Sequence, residues 1–267
     1  MTSTLFKKLQ VENRASLVAF VSCGDPSMEF TEKLVGRICA SGADIVELGA
    51  PFSDPMADGK TIQAASRRAL DGGATLEKTI AMAKRLRGKG VKNPFVLFSY
   101  FNPIFKLGTR RTAELCADAG IDALLVVDAP LEESEEIVSE TSPLGLEFIP
   151  LAAPTSSLGR ITKISESGSG FLYYVTVAGV TGARGALPDG IAERLAAVRA
   201  ASKLPVAAGF GISTPEMAHA AALCADAVVV GSKLVDIAHT ELENNGESAA
   251  LAAAEAFIAS LAAQMFR

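Results

Sequence analysis

A chain of 267 residues, 49% of them hydrophobic and with a mean hydropathy of +0.30, has ample material for a buried core, and nothing in its length demands a second domain. Its 25 Lys and Arg against 30 Asp and Glu leave a net charge of −5, with no basic cluster beyond pairs such as Arg67-Arg68 and Arg110-Arg111, which argues against nucleic acid or an anionic membrane as a partner. Four scattered cysteines, Cys23, Cys39, Cys116 and Cys224, form no Cys-x-x-Cys pair, so free thiols in a reducing, cytoplasmic compartment are expected rather than a disulfide framework or a zinc site.

The opening residues, Met1 to Lys8, lack an apolar signal region, and Leu5, Phe6 and Leu9 mark a first amphipathic helix. Leu17 to Val21 reads as strand 1, and Pro26-Ser27 opens a helix to about Ala40. Strand 2, Ile45 to Leu48, is a buried apolar run with one acid inside it, Glu47. It breaks at Gly49 into a loop carrying Pro51, Asp54, Pro55, Asp58 and Gly59. Helices follow over roughly 62–70 and 76–89. Strand 3 is Phe95 to Ser99, followed by Tyr100-Phe-Asn-Pro103, and a helix runs from Thr109 to Ala119. Strand 4 is Ala123 to Val127, and the next helix begins at Pro130 with an acid run that suits a helix N-terminus. Strand 5 is Glu147 to Leu151, with Ser156 or Ser157 capping the helix after it.

Strand 6, Phe171 to Val175, leads into Gly179-Val-Thr-Gly-Ala-Arg-Gly185, and Pro188 opens the following helix. Strand 7 is Val206 to Ala208, ending in Gly209-Phe-Gly211. Thr214 caps the next helix, and strand 8 is Ala227 to Val230, ending at Gly231-Ser232. The alanine-rich end, Ser248 to Met265, repeats Leu251, Ala254, Ile258, Leu261 and Met265 at helical spacing and reads as a packed helix rather than a membrane span. His219 and His239 fall in helices away from strand exits and are read as structural, which leaves no histidine for catalysis. Asp44, Asp122 and Asp226 each stand just before an apolar run, on the rim where stabilising residues sit.

Eight short apolar strands alternating with helices imply parallel strands joined by crossover helices. Glu47, Asp58, Tyr100, Gly211 and Gly231 lie at or beyond strand C-terminal ends that are far apart in sequence. Only a closed barrel gathers those exits around one mouth. The expectation is a single-domain (β/α)8 (TIM) barrel over residues 1–267, with an extra N-terminal helix and extra helices after strands 2 and 8.

Glycines after strands 7 and 8, with a helix starting near Ser232, suit a phosphate, because backbone N–H groups approach closely where no Cβ intervenes. A carboxylate within a buried strand is either paired or neutral with a raised pKa, and either state serves proton transfer. Two acids beside such a glycine pair, without a strand-borne lysine, favour proton chemistry on a phosphorylated small molecule over a Schiff-base aldolase. No cluster suggests a metal.

The stretch Glu47-Leu-Gly-Ala-Pro-Phe-Ser-Asp-Pro-Met-Ala-Asp-Gly-Lys-Thr-Ile-Gln63 resembles the signature of the tryptophan synthase alpha subunit family. The likeness extends through Gly24-Asp-Pro26, Tyr100 to Ile104, Asp128 to Glu133, Tyr173-Tyr174, Gly179 to Arg184 and Gly209 to Ser213. It implies retro-aldol cleavage of indole-3-glycerol phosphate to indole and glyceraldehyde 3-phosphate. By it, Glu47 and Asp58 match the catalytic acids, while Phe20, Tyr100, Tyr173 and Phe210 match substrate-binding positions. Gly182, Gly211, Gly231 and Ser232 match the phosphate cradle, and Thr181 matches a lid residue. Pro51 and Asp54 would face a beta subunit that carries pyridoxal phosphate, in an α2β2 heterotetramer that makes L-tryptophan. This chain would hold no cofactor itself. Lys60, Cys23 and Thr176 depart from the common family residues without removing a catalytic group. A stand-alone lyase that frees indole, a catalytically silent phospho-ligand-binding regulatory subunit and another phosphosugar barrel are the competing readings.

Overall fold

The computed structural model describes residues 2–176, 189–209 and 211–267. Nine strands form one sheet: β1 (Ser16–Ser22), β2 (Ile45–Gly49), β3 (Phe95–Ser99), β4 (Ala123–Val126), β5 (Glu147–Phe148), β6 (Leu151–Ala152), β7 (Leu172–Val175), β8 (Val206–Gly209) and β9 (Ala227–Val230). All paired neighbours are parallel, in the order β5-β4-β3-β2-β1-β9-β8-β7-β6. The two ends of that order are consecutive in the chain and meet through Ile149-Pro150. Ile149 N–H donates to Leu124 O at 2.8 Å on one side, and Tyr173 N–H donates to Pro150 O at 2.9 Å on the other. β5 and β6 are therefore the two halves of the fifth predicted strand, interrupted where Pro150 has no N–H to give. With that strand counted once, the sheet is an eight-stranded barrel.

The helices are α1 (Thr2–Val11), α2 (Met28–Ala40), α3 (Lys60–Asp71), α4 (Leu76–Gly88), α5 (Phe101–Leu107), α6 (Thr109–Asp118), α7 (Ser134–Thr141), α8 (Leu158–Glu166), α9 (Ile191–Ala201), α10 (Pro215–Cys224), α11 (Ser232–Asn245) and α12 (Glu247–Ala262). The extra helices fall where expected: α1 before the barrel, a second helix after β2 and a second after β9. Ser27, Thr75, Ser157 and Thr214 cap α2, α4, α8 and α10 through their hydroxyls. Ser156 does not cap α8; its hydroxyl accepts instead from Ala153 N–H at 3.2 Å.

One local expectation is corrected and one segment is filled in. The residues after strand 3 form a helix of their own, because Phe101 begins α5 and Pro103 sits in its first turn, where a missing N–H costs little. Gly108, at φ 96°, then breaks α5 from α6. The helix expected from Pro130 is a single 3-10 turn, Leu131–Glu133, before α7 begins at Ser134. Pro188 lies outside the described residues.

The strands are buried on both faces, which is why they read as nearly unbroken apolar runs. One set of side chains fills the barrel, including Val18, Ile45, Val96, Leu125, Ile149 and Phe171. Phe6 of α1 joins it from below, its ring 5.6 Å from Phe171. The other set packs outward against the helices. The three rim aspartates perform one job. The carboxylates of Asp44, Asp122 and Asp226 accept from the N–H groups of Leu17 (2.7 Å), Phe95 (2.8 Å) and Val206 (3.0 Å). Their own N–H groups donate back to the carbonyls of the same three residues. Arg14, Arg87 and Arg199 pair with these acids. Each aspartate thus ties the start of its strand to the start of the preceding one.

Candidate active site

Glu47 is the central residue of β2, beside Phe20 of β1 and Val96 of β3. Strand alternation turns it inward with Ile45. Its side chain is fully buried, and neither carboxylate oxygen has a hydrogen-bond partner among the described residues. Burial pushes its pKa up to about 8, because it penalises the charged form. At neutral pH this carboxyl holds its proton.

Asp58 comes from the loop between β2 and α3 and sits half-buried across the same cavity. Its Oδ2 accepts from the Tyr100 hydroxyl at 3.0 Å, and that hydroxyl accepts from Ala57 N–H at 2.9 Å. Gln63 Nε2 fastens the loop by donating to Asp58 O at 2.8 Å. Burial raises the Asp58 pKa to about 6, against the pull of the Tyr100 hydrogen bond. The two acids therefore sit on opposite sides of neutrality, a separation suited to dividing acid and base roles. Tyr173 of β7 lines the same cavity. Burial and then the charges of Glu47 and Asp58 hold its hydroxyl well above the usual tyrosine range, so it keeps its proton.

The cavity at this mouth measures about 360 Å³, within the ~300–1,000 Å³ range of small-molecule sites. Its apolar walls are Phe20, Ile62, Phe98, Val127, Leu151, Val175 and Val229. Phe20 meets Phe98 edge-on, with centroids 5.1 Å apart. Gly49 makes room for that ring, since a Cβ there would lie 2.5 Å from Phe20 Cζ. Gly209, Gly211, Gly231 and Ser232 line another part of the cavity, with Ser232 opening the 14-residue α11. Gly211 is at φ 66°, open to glycine. Lys233 turns to Asp236, 3.1 Å away, and is not part of the lining.

Of the residues singled out in the sequence, Phe20, Glu47, Asp58, Tyr173, Gly211, Gly231 and Ser232 surround this one cavity. Tyr100 stands behind Asp58, its ring 5.1 Å from Phe52 and its hydroxyl spent on the loop. Pro51 is buried beneath that loop's start, whereas Asp54 is exposed and accepts from the Ser53 hydroxyl. Thr181, Gly182, Arg184 and Phe210 lie outside the described residues. The walls Phe98, Val127, Leu151 and Val229 were not singled out. Strand alternation carried their signal, because Phe98 shares the face of Val96, and Leu151 that of Ile149.

Fold and site together define a (β/α)8 barrel whose mouth joins two carboxyls of raised pKa, an apolar slot and a glycine-lined end. The family model described as tryptophan synthase alpha chain matches residues 6–265. A protein of that name from Geobacter sp. (strain M21) is 52% identical over 233 residues, 87% of each chain, and one from Geobacter sulfurreducens is 47% identical over 232 residues, 87% of this chain and 88% of that one. Among solved structures, a tryptophan synthase subunit alpha from Legionella pneumophila superposes with a TM-score of 0.91 at 34% identity, covering 99% of this chain and 97% of that one. A Mycobacterium tuberculosis tryptophan synthase chain gives 0.90 at 30% identity, covering 100% and 98%. The chain belongs to the tryptophan synthase alpha chain family.

Proposed function

We propose that this chain, acting as one barrel domain over residues 1–267, is a lyase that cleaves indole-3-glycerol phosphate to indole and glyceraldehyde 3-phosphate. The observation that carries the reading is Glu47: a carboxyl with no hydrogen-bond partner among the described residues, buried in the barrel and facing the cavity that also holds Asp58. A buried group of this kind is costly to keep, and proton transfer gives it a use. The neutral Glu47 carboxyl donates its proton to indole C3. Asp58, ionised, accepts the indole N–H and stabilises the positive charge that develops on the ring. The Glu47 carboxylate then takes the proton of the side-chain hydroxyl next to the breaking bond. The carbon–carbon bond opens, the electrons return to the ring, and the aldehyde forms. Each such role is typically worth a factor of about 10² to 10⁴.

Phe20 and the neighbouring apolar walls hold the indole ring, and Tyr173 stands beside the reacting centre. Gly211, Gly231 and Ser232 cradle the phosphate at the N-terminus of α11, where free N–H groups and the helix dipole favour an anion. The family pattern adds Gly182 to the cradle, Phe210 to the indole pocket and Thr181 to a lid that excludes water. Tyr100 positions Asp58. Indole passes to a beta subunit that carries the pyridoxal phosphate, in a cytoplasmic α2β2 assembly contacted through the Pro51 and Asp54 loop. Among the described residues, no helix is long and apolar enough to cross a membrane.

The test is indole release by the purified chain, wild type beside Glu47→Gln, with and without a beta subunit. Slow release alone, acceleration by the partner and loss of at least about 10²-fold in the variant are expected. Equal release by wild type and variant would overturn the assignment.

A further inference from the structure

The N-terminal face of the barrel, opposite the candidate active site, holds a cleft of about 690 Å³, larger than the cavity at the mouth. Its walls come from α1, from the ends of α9 and the chain, and from the residues just before β1, β7, β8 and β9. Five cations line it, Lys7, Arg14, Arg199, Lys203 and Arg267, against a single carboxylate, Asp226. This is an inversion of the chain's overall balance of −5.

Some of that charge is already answered. Arg14 pairs with Asp44 at 2.7 Å, and Arg199 and Arg267 share Asp226 at 2.7 and 3.4 Å. Arg199 grips Asp226 through two N–H groups and Arg267 also donates to the carbonyls of Ala222 and Ala225, so the side chains of this corner are hydrogen-bonded while two guanidiniums still share one side-chain carboxylate. Glu147, beside Gly170, is engaged by the hydroxyl and main-chain N–H groups of Thr2 and Ser3. Lys7 on α1 and Lys203 before β8 have no carboxylate partner among the described residues. They approach the cleft from different elements, with the apolar Phe6 and Pro205 between the cationic positions.

We propose that this cleft binds a small polyanion, a molecule carrying two or more phosphate groups. The excess positive charge sits at several separate points around a bounded hollow, so one compact monoanion cannot meet all of them. A polyphosphate can, with Lys7 and Lys203 as point-charge contacts and the Arg199–Arg267 corner, whose forks already face Asp226 and the carbonyls of Ala222 and Ala225, adding the attraction of its charge. The hollow's volume is that of a small-molecule site, and its cations form no extended stripe of the kind a nucleic-acid backbone follows. The cleft abuts the starts of β8 and β9, whose far ends carry Gly209 and Gly231 of the candidate phosphate cradle.

Calorimetric titration with inorganic tripolyphosphate tests the site. Glycerol 3-phosphate is kept in excess throughout to occupy the cradle at the mouth. Wild type is compared with Lys7→Glu/Lys203→Glu, two exposed positions whose reversal leaves the fold and indole release unchanged. Expected is one tripolyphosphate per chain, weakened by salt, at least about tenfold weaker in the double variant and at least about tenfold tighter than inorganic phosphate. No binding of tripolyphosphate under these conditions, equal affinity in both proteins, or phosphate binding as tightly as tripolyphosphate would each overturn it.

Discussion

Glu47 links chemistry to stability through one proton. Its folded pKa, about 8, lies above the ordinary glutamate value, so folding takes up a proton in the interval between them. Below pH ~4 both states hold the proton and no difference arises. As pH rises toward 8, the unfolded state ionises freely while the folded state cannot, and stability falls by on the order of a few kcal/mol. Glu47→Gln removes this dependence. The stability of the variant relative to wild type should therefore climb between pH ~4.5 and 8 and level off above, as denaturant melts across that range would show. Tyr100 offers a second test at this scale. Its hydroxyl lowers the Asp58 pKa, so Tyr100→Phe should move the acid limb of the pH–rate profile for indole release to higher pH. An unmoved limb would mean the hydroxyl does not act through Asp58. Glu47 and Asp58 were legible as acids at a strand and its exit. That the Tyr100 hydroxyl bonds Asp58 was not legible, because a side-chain hydrogen bond between positions 42 residues apart leaves no trace in periodicity.

The strands and their connecting helices were readable because apolar runs of four to seven residues are bounded by glycine, proline and capping hydroxyls. Prolines mark where the structure adds to the sequence: Pro103 falls inside the first turn of α5, Pro150 interrupts the expected fifth strand between β5 and β6, and the helix expected from Pro130 is only a 3-10 turn. The repeated aspartates were visible as spacing, but their two-way bonds to the preceding strand required the register. Asp122 is the most deeply placed of them, receiving Phe95 N–H and Arg87 together. Asp122→Ala should cost about 3 kcal/mol by chemical denaturation, since it strands a guanidinium and a strand N–H. At the other end of the strands, Gly49→Ala should destabilise the fold by roughly 1–3 kcal/mol and raise KM for indole-3-glycerol phosphate, because the added methyl drives into the Phe20 ring. A KM equal to wild type would separate Phe20 from substrate binding.

At the scale of the molecule, the barrel divides labour between its two ends. Residues at the strand starts knit the strands together through carboxylate, amide and guanidinium. Among the described residues at the strand exits, Glu47 has no hydrogen-bond partner and Asp58 is raised, an arrangement that sacrifices stability at the site where proton transfer is proposed. The closed barrel matters because the acids come from β2 and the loop after it, the tyrosine lies on β7 and the glycines lie at the ends of β8 and β9, positions that an open sheet would spread apart. The most direct measurement is kcat/KM for indole release from indole-3-glycerol phosphate as a function of pH. A bell is expected, rising as Asp58 ionises near pH 6 and falling as Glu47 loses its proton near pH 8. A rate that keeps climbing through pH 8 would mean that Glu47 must be ionised to begin the reaction, and would contradict its role as the buried proton donor.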